Sequence, residues 1–347
     1  MPDRAQGDLA RDPGVLILGG ATATGKSSLA ADLARAVGGA VVSADSRQVY
    51  RGLEIGTAQP DERLRALAPH FLIGFLSPAA DYSAGRYGAD ARRVTAALRR
   101  RGLPVVLCGG TGLYLRAALG GLFRERARRI GARAVPGSGP LEAVGESVAR
   151  GERRAALARR WEREGPAALH AELSRIDPPL ARRVQTRDRQ RVLRGLAFHA
   201  ETGERLSASW VPQRAEGRCP SEAAEPDGSR GALRFALTLP VRVLESRIRE
   251  RLERMLETGL LEEGRSLHGR YAERPPTSLT AVGYPELFRY FEGEASLEEA
   301  RGRMLVRTRQ YAKRQRTWFR NQDGYRSLSA GEEALAIMLD AWRERLA

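Results

Sequence analysis

The sequence predicts an α/β fold, a parallel sheet covered by helices, with a helical module inserted into it. Three observations lead there. Short apolar runs alternate with segments of helical spacing from Gly14 to Phe123. The first of these runs ends in glycines and opens directly into a helix. After Phe123 the chain turns basic and helical, and a strand-like run returns only at Leu233. Alternation of this kind is the pattern of parallel strands joined by crossover helices.

Taken in order, "GVLILGG" (Gly14 to Gly20) is short, apolar and bounded by glycine, as a buried parallel strand should be. Lys26 to Val37 has helical apolar spacing. "AVVSAD" (Ala40 to Asp45) is a second buried strand and "HFLIGFL" (His70 to Leu76) a third. Ser83 to Arg101 reads as a basic amphipathic helix, and "LPVVLCGG" (Leu103 to Gly110) as a further strand. "RERARRIGARAVPGSGP", from Arg124, is rich in Arg, Gly, Pro and Ser and reads as a flexible connection. Glu146 to Thr202 reads as wholly helical with Arg-rich faces, and Val211 to Gly231 as another loop. The sheet resumes at "LRFALTLP" (Leu233 to Pro240), with helices from there to the C-terminus. The expected division is a first core segment over 1–123, an inserted helical module over 124–231, the core's continuation over 232–328 and a helical tail over 329–347. No internal repeat is evident.

Of 347 residues, 58 are Lys or Arg and 42 are Asp or Glu, a formal net charge of +16. An excess of that size points to a polyanionic partner, against the plain alternative of a solvated Arg-rich surface. Lys26 and Lys313 are the only lysines, and both fall in segments singled out below on other grounds. Cys108 and Cys219 are the only cysteines and form no C-x-x-C pair. That argues against a disulfide framework or a cysteine zinc site and suits a reducing compartment. The leading "MPDRAQGDLARDPG" has no apolar signal core, and no apolar run reaches membrane-spanning length. A cytoplasmic monomer with no membrane partner is expected.

The stretch "GATATGKS" (Gly20, Ala21, Thr22, Ala23, Thr24, Gly25, Lys26 and Ser27) fits G-x-x-x-x-G-K-[ST] between a strand and a helix. Its glycines let backbone N–H groups converge on phosphate oxygens at a helix N-terminus, Lys26 adds a mobile charge, and Ser27 can ligate Mg²⁺. The core is thus expected to be P-loop NTPase-like. An ordinary ATPase or kinase should also have a later apolar strand ending in Asp or Glu to hold Mg²⁺. Here the later strand runs into Gly109, Gly110 and Thr111, and the only apolar run ending in an acid is "VVSAD". That mismatch counts against routine phosphoryl transfer. Asp45 itself lies at the C-terminal edge of its strand, where open α/β sheets bind ligands, although Asp before Ser is commonly only a turn cap.

Four blocks in this order closely resemble the tRNA dimethylallyltransferases, also called tRNA isopentenyltransferases. They are the cradle, "SADSRQVYRGLEIGTAQP" (Ser43 to Pro60), "GGTGLYLRAAL" (Gly109 to Leu119) and "TRQYAKRQRTWFR" (Thr308 to Arg320). The resemblance runs from about Val15 to Asn321. It implies that the cradle holds the diphosphate of dimethylallyl diphosphate rather than ATP, and that the isoprenoid passes to N6 of adenosine 37 beside the anticodon. By resemblance Asp45 is the general base, while Thr111 and Arg247 of "LESRIRERLERML" steady the leaving diphosphate with Lys26 and Mg²⁺. That chemistry is coherent. Allylic C–O cleavage puts negative charge on the diphosphate, where cations belong, and a weakly nucleophilic amine must lose a proton. Without the resemblance Arg247 reads as a solvated helix residue.

The resemblance places tRNA contacts at Asp45, Ser46, Arg47 and Gln48, at Thr111, and at Gln190, Arg191, Val192, Leu193 and Arg194. It adds Thr280, Ala281, Val282, Gly283, Tyr284 and Pro285, then Thr308, Arg309, Gln310, Tyr311, Ala312, Lys313, Arg314 and Gln315, with Arg154 in the inserted helices. Each basic run could equally be a solvated helix face, but Tyr311 interleaved with cations suits combined phosphate contact and stacking. The stacked adenosine would have to be extruded, at roughly a few kcal/mol. Some positions depart from the family pattern. Ala21 stands for Pro and Thr24 for Ser in the cradle, Pro285 stands for Lys or Arg, and the 70–76 region lacks an Asp. The segment Arg126 to Arg150 is longer and more irregular than usual. Three other readings compete: an adenylate prenyltransferase acting on AMP, a small-molecule kinase, and a non-catalytic RNA-binding protein. The first needs only a small basic pocket, the second lacks its acidic strand end, and the third leaves Lys26, Asp45 and Thr111 together without a purpose.

Overall fold

The computed structural model describes residues 14–120, 140–209 and 231–346. The connections expected from Arg124 and over Val211 to Gly231 fall largely outside them. The chain forms two compact units, one of residues 1–120 with 214–347 and one of residues 121–213.

The first unit is built on a parallel sheet in the order β3-β2-β4-β1-β5-β6. Its strands are β1 (Val15–Gly20), β2 (Ala40–Ser43), β3 (His70–Phe71), β4 (Val105–Gly109), β5 (Leu233–Thr238) and β6 (Arg326–Ser329). Successive strand residues face opposite sides, so both faces need cover. On one face Val15, Ile17, Val42 and Leu107 pack with Tyr87 and Leu98 of α3 (Ala84–Arg100) and Leu115 of α4 (Gly112–Ala118). On the other, Leu16, Leu18, Val41, Val106 and Phe235 pack with Leu33 of α1 (Lys26–Ala36) and Met338 and Trp342 of the C-terminal helix (Glu333–Leu346). Because β1 lies between β4 and β5, the turn after β1 sits where strand order reverses, the ligand site of open α/β sheets.

Two elements differ from expectation. The strand expected over His70 to Leu76 is only two residues long. Leu72 (φ 61°) and Gly74 (φ 58°) are left-handed and turn the chain away, and Leu76 makes only an isolated bridge to Tyr50. The C-terminal region, expected to be purely helical, contributes β6 to the sheet edge. Of its four residues only Leu328 is buried, so it carries no apolar run to betray it.

A short helix, α2 (Glu62–Leu67), precedes β3. In the helical unit, α5 (Pro140–Ile176), α6 (Pro178–Ala181) and α7 (Arg189–Thr202) surround a core of Trp161, Leu169, Leu173, Leu180, Val192 and Leu196. The wholly helical reading of Glu146 to Thr202 needs three breaks. Gly165 (φ 82°) before Pro166 interrupts α5, Asp177 ends it, and residues 182–188 form a turn. Asp177, almost fully buried, accepts from Leu180 N at 3.2 Å and from Ser207 N at 2.8 Å, which explains a carboxylate at that depth. After β5 the first unit continues through α8 (Val241–Glu257), α9 (Leu260–Tyr271), a 3₁₀ turn (Thr277–Thr280), α10 (Tyr284–Phe291), α11 (Leu297–Arg320), β6 and α12 (Glu333–Leu346). No helix among the described residues is long and apolar enough to cross a membrane.

Candidate active site

The turn from β1 into α1 is a phosphate cradle by geometry as well as by sequence. Gly20 has φ 139°, and a Cβ there would lie 2.6 Å from Leu237 O, so only glycine lets β1 end beside β5. Gly25 (φ 91°) opens α1, and Ala23 (φ 62°) is left-handed without glycine's freedom, a local strain of order 1 kcal/mol. Inside the loop Thr24 Oγ1 donates to Ala21 O at 2.8 Å, and Lys26 Nζ also donates to that carbonyl. Burial pushes the Lys26 ammonium down to about 8, against the opposing pull of Cys108 and Asp45. Ala21, in place of Pro, packs with Leu244, Ile248 and Ala312. Gln315 then ties the loop down: Thr22 N donates to its Oε1 at 2.8 Å while its Nε2 donates to Gly110 O at 2.9 Å.

Helix α8 brings cations over the cradle. Arg247 Nη1 lies 3.5 Å from Thr24 O, and Arg251 Nη1 donates to Thr22 Oγ1 at 2.9 Å. Burial lowers the affinity of Arg251 for its proton, and the nearby Asp45 charge partly offsets this. Arg251 was not among the sequence-derived candidates. Its signal was legible, since residues 247, 251 and 254 are one helical stripe of arginines.

Asp45 lies just past β2, beside β4. Its Oδ1 accepts from Arg47 N at 2.9 Å. Thr111, expected at the leaving diphosphate, has its hydroxyl on the Asp45 loop: Oγ1 accepts from Ser46 N at 3.0 Å and donates to Ser46 Oγ at 3.4 Å. Burial raises the Tyr311 phenol, so it stays protonated. Gln48 holds the far side of the loop through Thr57 O and Ala58 O. Glu263, also missed from sequence, accepts from Ile55 N, Gly56 N and the Tyr284 hydroxyl, each at 2.8 Å.

Two cavities meet at this loop. One, of about 460 Å³, is lined by Gly25, Lys26, Ser27, Gln48, Arg247, Arg251, Arg254 and Gln315, with the acids Asp61 and Glu250 also on its wall. The other, of about 270 Å³, has an apolar wall of Ile248, Leu252, Met255, Leu260 and Met304. Its polar rim is made of Ser46, Arg47, Thr280, Thr308, Tyr311 and Arg314, with Ala281, Val282 and Gly283 beside them. Thr22, Ala23, Asp45, Thr57 and Arg251 line both. The pair therefore offers a half with Lys26 and three arginines, a half with an apolar wall, and a carboxylate and a guanidinium common to both.

Several sequence-derived contact residues are buried. Tyr284, Val192, Ala312, Ala281 and Gln315 are each at most 7% exposed, too little to meet a large ligand broadly. Leu193 packs on the helical unit's core and Pro285 is half-buried at the start of α10. Gln310, Lys313 and Arg314 are exposed on α11, with Arg309 half-buried, and Gln190, Arg191 and Arg194 are exposed on α7. Arg154 has a side chain outside the described residues.

A family model described as IPP transferase matches residues 48–322, and one described as isopentenyl transferase matches residues 13–73. The chain is 40% identical over 316 residues to the tRNA dimethylallyltransferase of Halorhodospira halophila, covering 90% of this chain and 92% of that one. It is 40% identical over 328 residues to the tRNA dimethylallyltransferase of Methylococcus capsulatus, covering 93% and 95%. Among solved structures, the tRNA delta(2)-isopentenylpyrophosphate transferase of Staphylococcus epidermidis matches with a TM-score of 0.62 at 28% identity, over 96% of this chain and 98% of that chain.

Proposed function

The chain belongs to the IPP transferase family, and from that premise we propose that it transfers a dimethylallyl group from dimethylallyl diphosphate to N6 of adenosine 37 in tRNA. It is a tRNA dimethylallyltransferase by the same relationship. The donor, the anticodon-loop position and a monomeric state are the finer parts of the proposal. One observation supports the donor: the joined cavities, with Lys26, Arg247 and Arg254 on the cradle side and an apolar wall beyond, share Asp45 and Arg251. A diphosphate suits the first half and a five-carbon chain the second, with the allylic carbon at the junction.

In the reaction the C1–O bond breaks, the diphosphate leaves with the electron pair, and the N6–C1 bond forms. Lys26, Arg247 and Arg251 surround the cavity where that charge develops. Asp45 takes the proton that the amine must lose. Oxygen donors suit Mg²⁺, which commonly keeps several waters and binds one or two protein oxygens plus substrate phosphates. The Ser27 hydroxyl, lining the cradle cavity, fits that role. Bound there, the ion would neutralise diphosphate charge.

Exposed Lys313, Arg314 and Arg316 on α11, and Arg191 and Arg194 on α7, favour a polyanion over free AMP. Against a kinase, β4 runs into Gly109–Gly110–Thr111, with no acid to hold a nucleotide's metal.

The test is purified protein with labelled dimethylallyl diphosphate, offered tRNA or AMP, beside an ATP-consumption control. Label on tRNA at adenosine 37 is expected; label on AMP alone, or ATP turnover without label transfer, would refute the reading. The same assay reads Arg251. Arg251→Ala removes a half-buried cation at the junction and is expected to slow single-turnover transfer by roughly 10²-fold with tRNA affinity intact. An unchanged rate would remove Arg251 from the site.

A further inference from the structure

Arg47 stands in the loop beside Asp45, and a guanidinium there reads most simply as a clamp for a tRNA phosphate. Its hydrogen bonds argue otherwise. The backbone N of Arg47 donates to Asp45 Oδ1 at 2.9 Å, which fixes the rotation of the carboxylate. The side chain of the same residue reaches a turn some 230 residues further along the chain. There Nη1 donates to Thr277 O at 2.5 Å and Ser278 O at 3.3 Å, and Nη2 donates to Thr280 Oγ1 at 2.8 Å. Charge-assisted bonds from a planar fork are among the stronger polar contacts, and a lysine could not reproduce their geometry.

The turn that Arg47 grips is itself held rigidly. Ser278 Oγ donates to Pro78 O at 2.8 Å, and Gly283 N donates to Glu286 Oε2 at 2.8 Å. Glu286, only 4% exposed, pairs with Arg307 at 2.6 Å. Thr280 to Gly283 then line the apolar cavity, as Asp45 does. One residue thus joins the cavity wall to the carboxylate.

We propose that Arg47 is a positioning residue, coupling the 277–283 turn to the aim of the Asp45 carboxylate rather than binding phosphate. This rests on the reading of Asp45 as proton acceptor given above. With Oδ1 held by the Arg47 amide, Oδ2 is left for the incoming amine. Substrate seated in the cavity meets the turn that the same guanidinium ties to the loop, so substrate seating and carboxylate aim are set together.

Arg47→Met keeps the stem and removes the fork. Single-turnover transfer at saturating tRNA is expected to fall by roughly 10²-fold, the cost of about 1 Å of misplacement. The KM for tRNA should stay within about twofold, since no phosphate contact is lost. The slope of log affinity against log salt should be unchanged, whereas a lost phosphate contact would shift it by roughly 0.7 to 0.9. Thr280→Val, which removes one leg of the grip, should slow transfer by a smaller factor, and Thr280→Ser should restore it. The double variant should be no slower than Arg47→Met alone, because both remove one coupling.

A full transfer rate in Arg47→Met, or weaker tRNA binding with a shallower salt slope, would overturn the proposal. So would additive losses in the double variant. If Arg47→Met fails the thermal-melting check for folding, the Thr280→Val and Thr280→Ser pair decides alone: equal rates refute the coupling. The unmodified protein runs in parallel, and absence of transfer there would bring down the functional reading together with the coupling, a result no variant-specific failure could mimic.

Discussion

Asp45→Asn is expected to lower single-turnover transfer by roughly 10²–10⁴-fold, the usual worth of a positioned general base. Binding of tRNA and of dimethylallyl diphosphate should remain near that of the unmodified protein. Asn keeps the side chain's shape and can still accept from the Arg47 amide that bonds Oδ1, so the loop retains its conformation. What it loses is the ability to take a proton at neutral pH. A second role is open to the carboxylate, because Asp45 shares the cradle cavity with Ser27 and could assist Mg²⁺. The two roles separate in a Mg²⁺ titration. A deep loss that is flat across Mg²⁺ concentration is the expected result. Recovery to near the normal rate at high Mg²⁺ would refute the base assignment.

Lys26→Ala should depress transfer by roughly 10²–10³-fold, since it removes a cation from the place where leaving-group charge develops. Its tRNA affinity should hold, and an equal loss of tRNA binding would mean that Lys26 is not a diphosphate ligand. The lysine also predicts a pH dependence. In the unliganded protein burial brings its ammonium down to about 8. Below that pH it is already charged, and diphosphate affinity should be level. Above it, binding must first place a proton on Lys26, so affinity should fall as pH rises, with a slope approaching tenfold per unit. Titrating dimethylallyl diphosphate from pH 7 to pH 9.5 checks this, with Lys26→Ala as the control that should show no such slope. A slope that persists in the variant would assign the titration to another group.

The sequence by itself determined the strands at the centre of the sheet, the cradle and the position of Asp45. Those features are local. A run such as Val15 to Gly20 is apolar throughout because a strand covered on both faces has no solvent side, and G-x-x-x-x-G-K-S puts every group of the cradle within eight residues. The stripe of Arg247, Arg251 and Arg254 is equally legible. The four ordered blocks also carried the family, which the relatives bear out.

Tertiary structure alone decided which members of those blocks are available for chemistry. Tyr284, Ala312 and Gln315 sit in motifs that suggest RNA contact, yet Tyr284 is wholly buried against Glu263, Ala312 packs on Ala21, and Gln315 braces the cradle to β4. Thr111 likewise serves the Asp45 loop through Ser46. β6 was invisible because an edge strand with a single buried residue has no periodicity to read. The reason is the same in each case. A side chain's partner is often hundreds of residues away, as with Arg47 and Thr280, and a linear sequence records spacing along the chain but not which groups the fold brings within hydrogen-bonding distance.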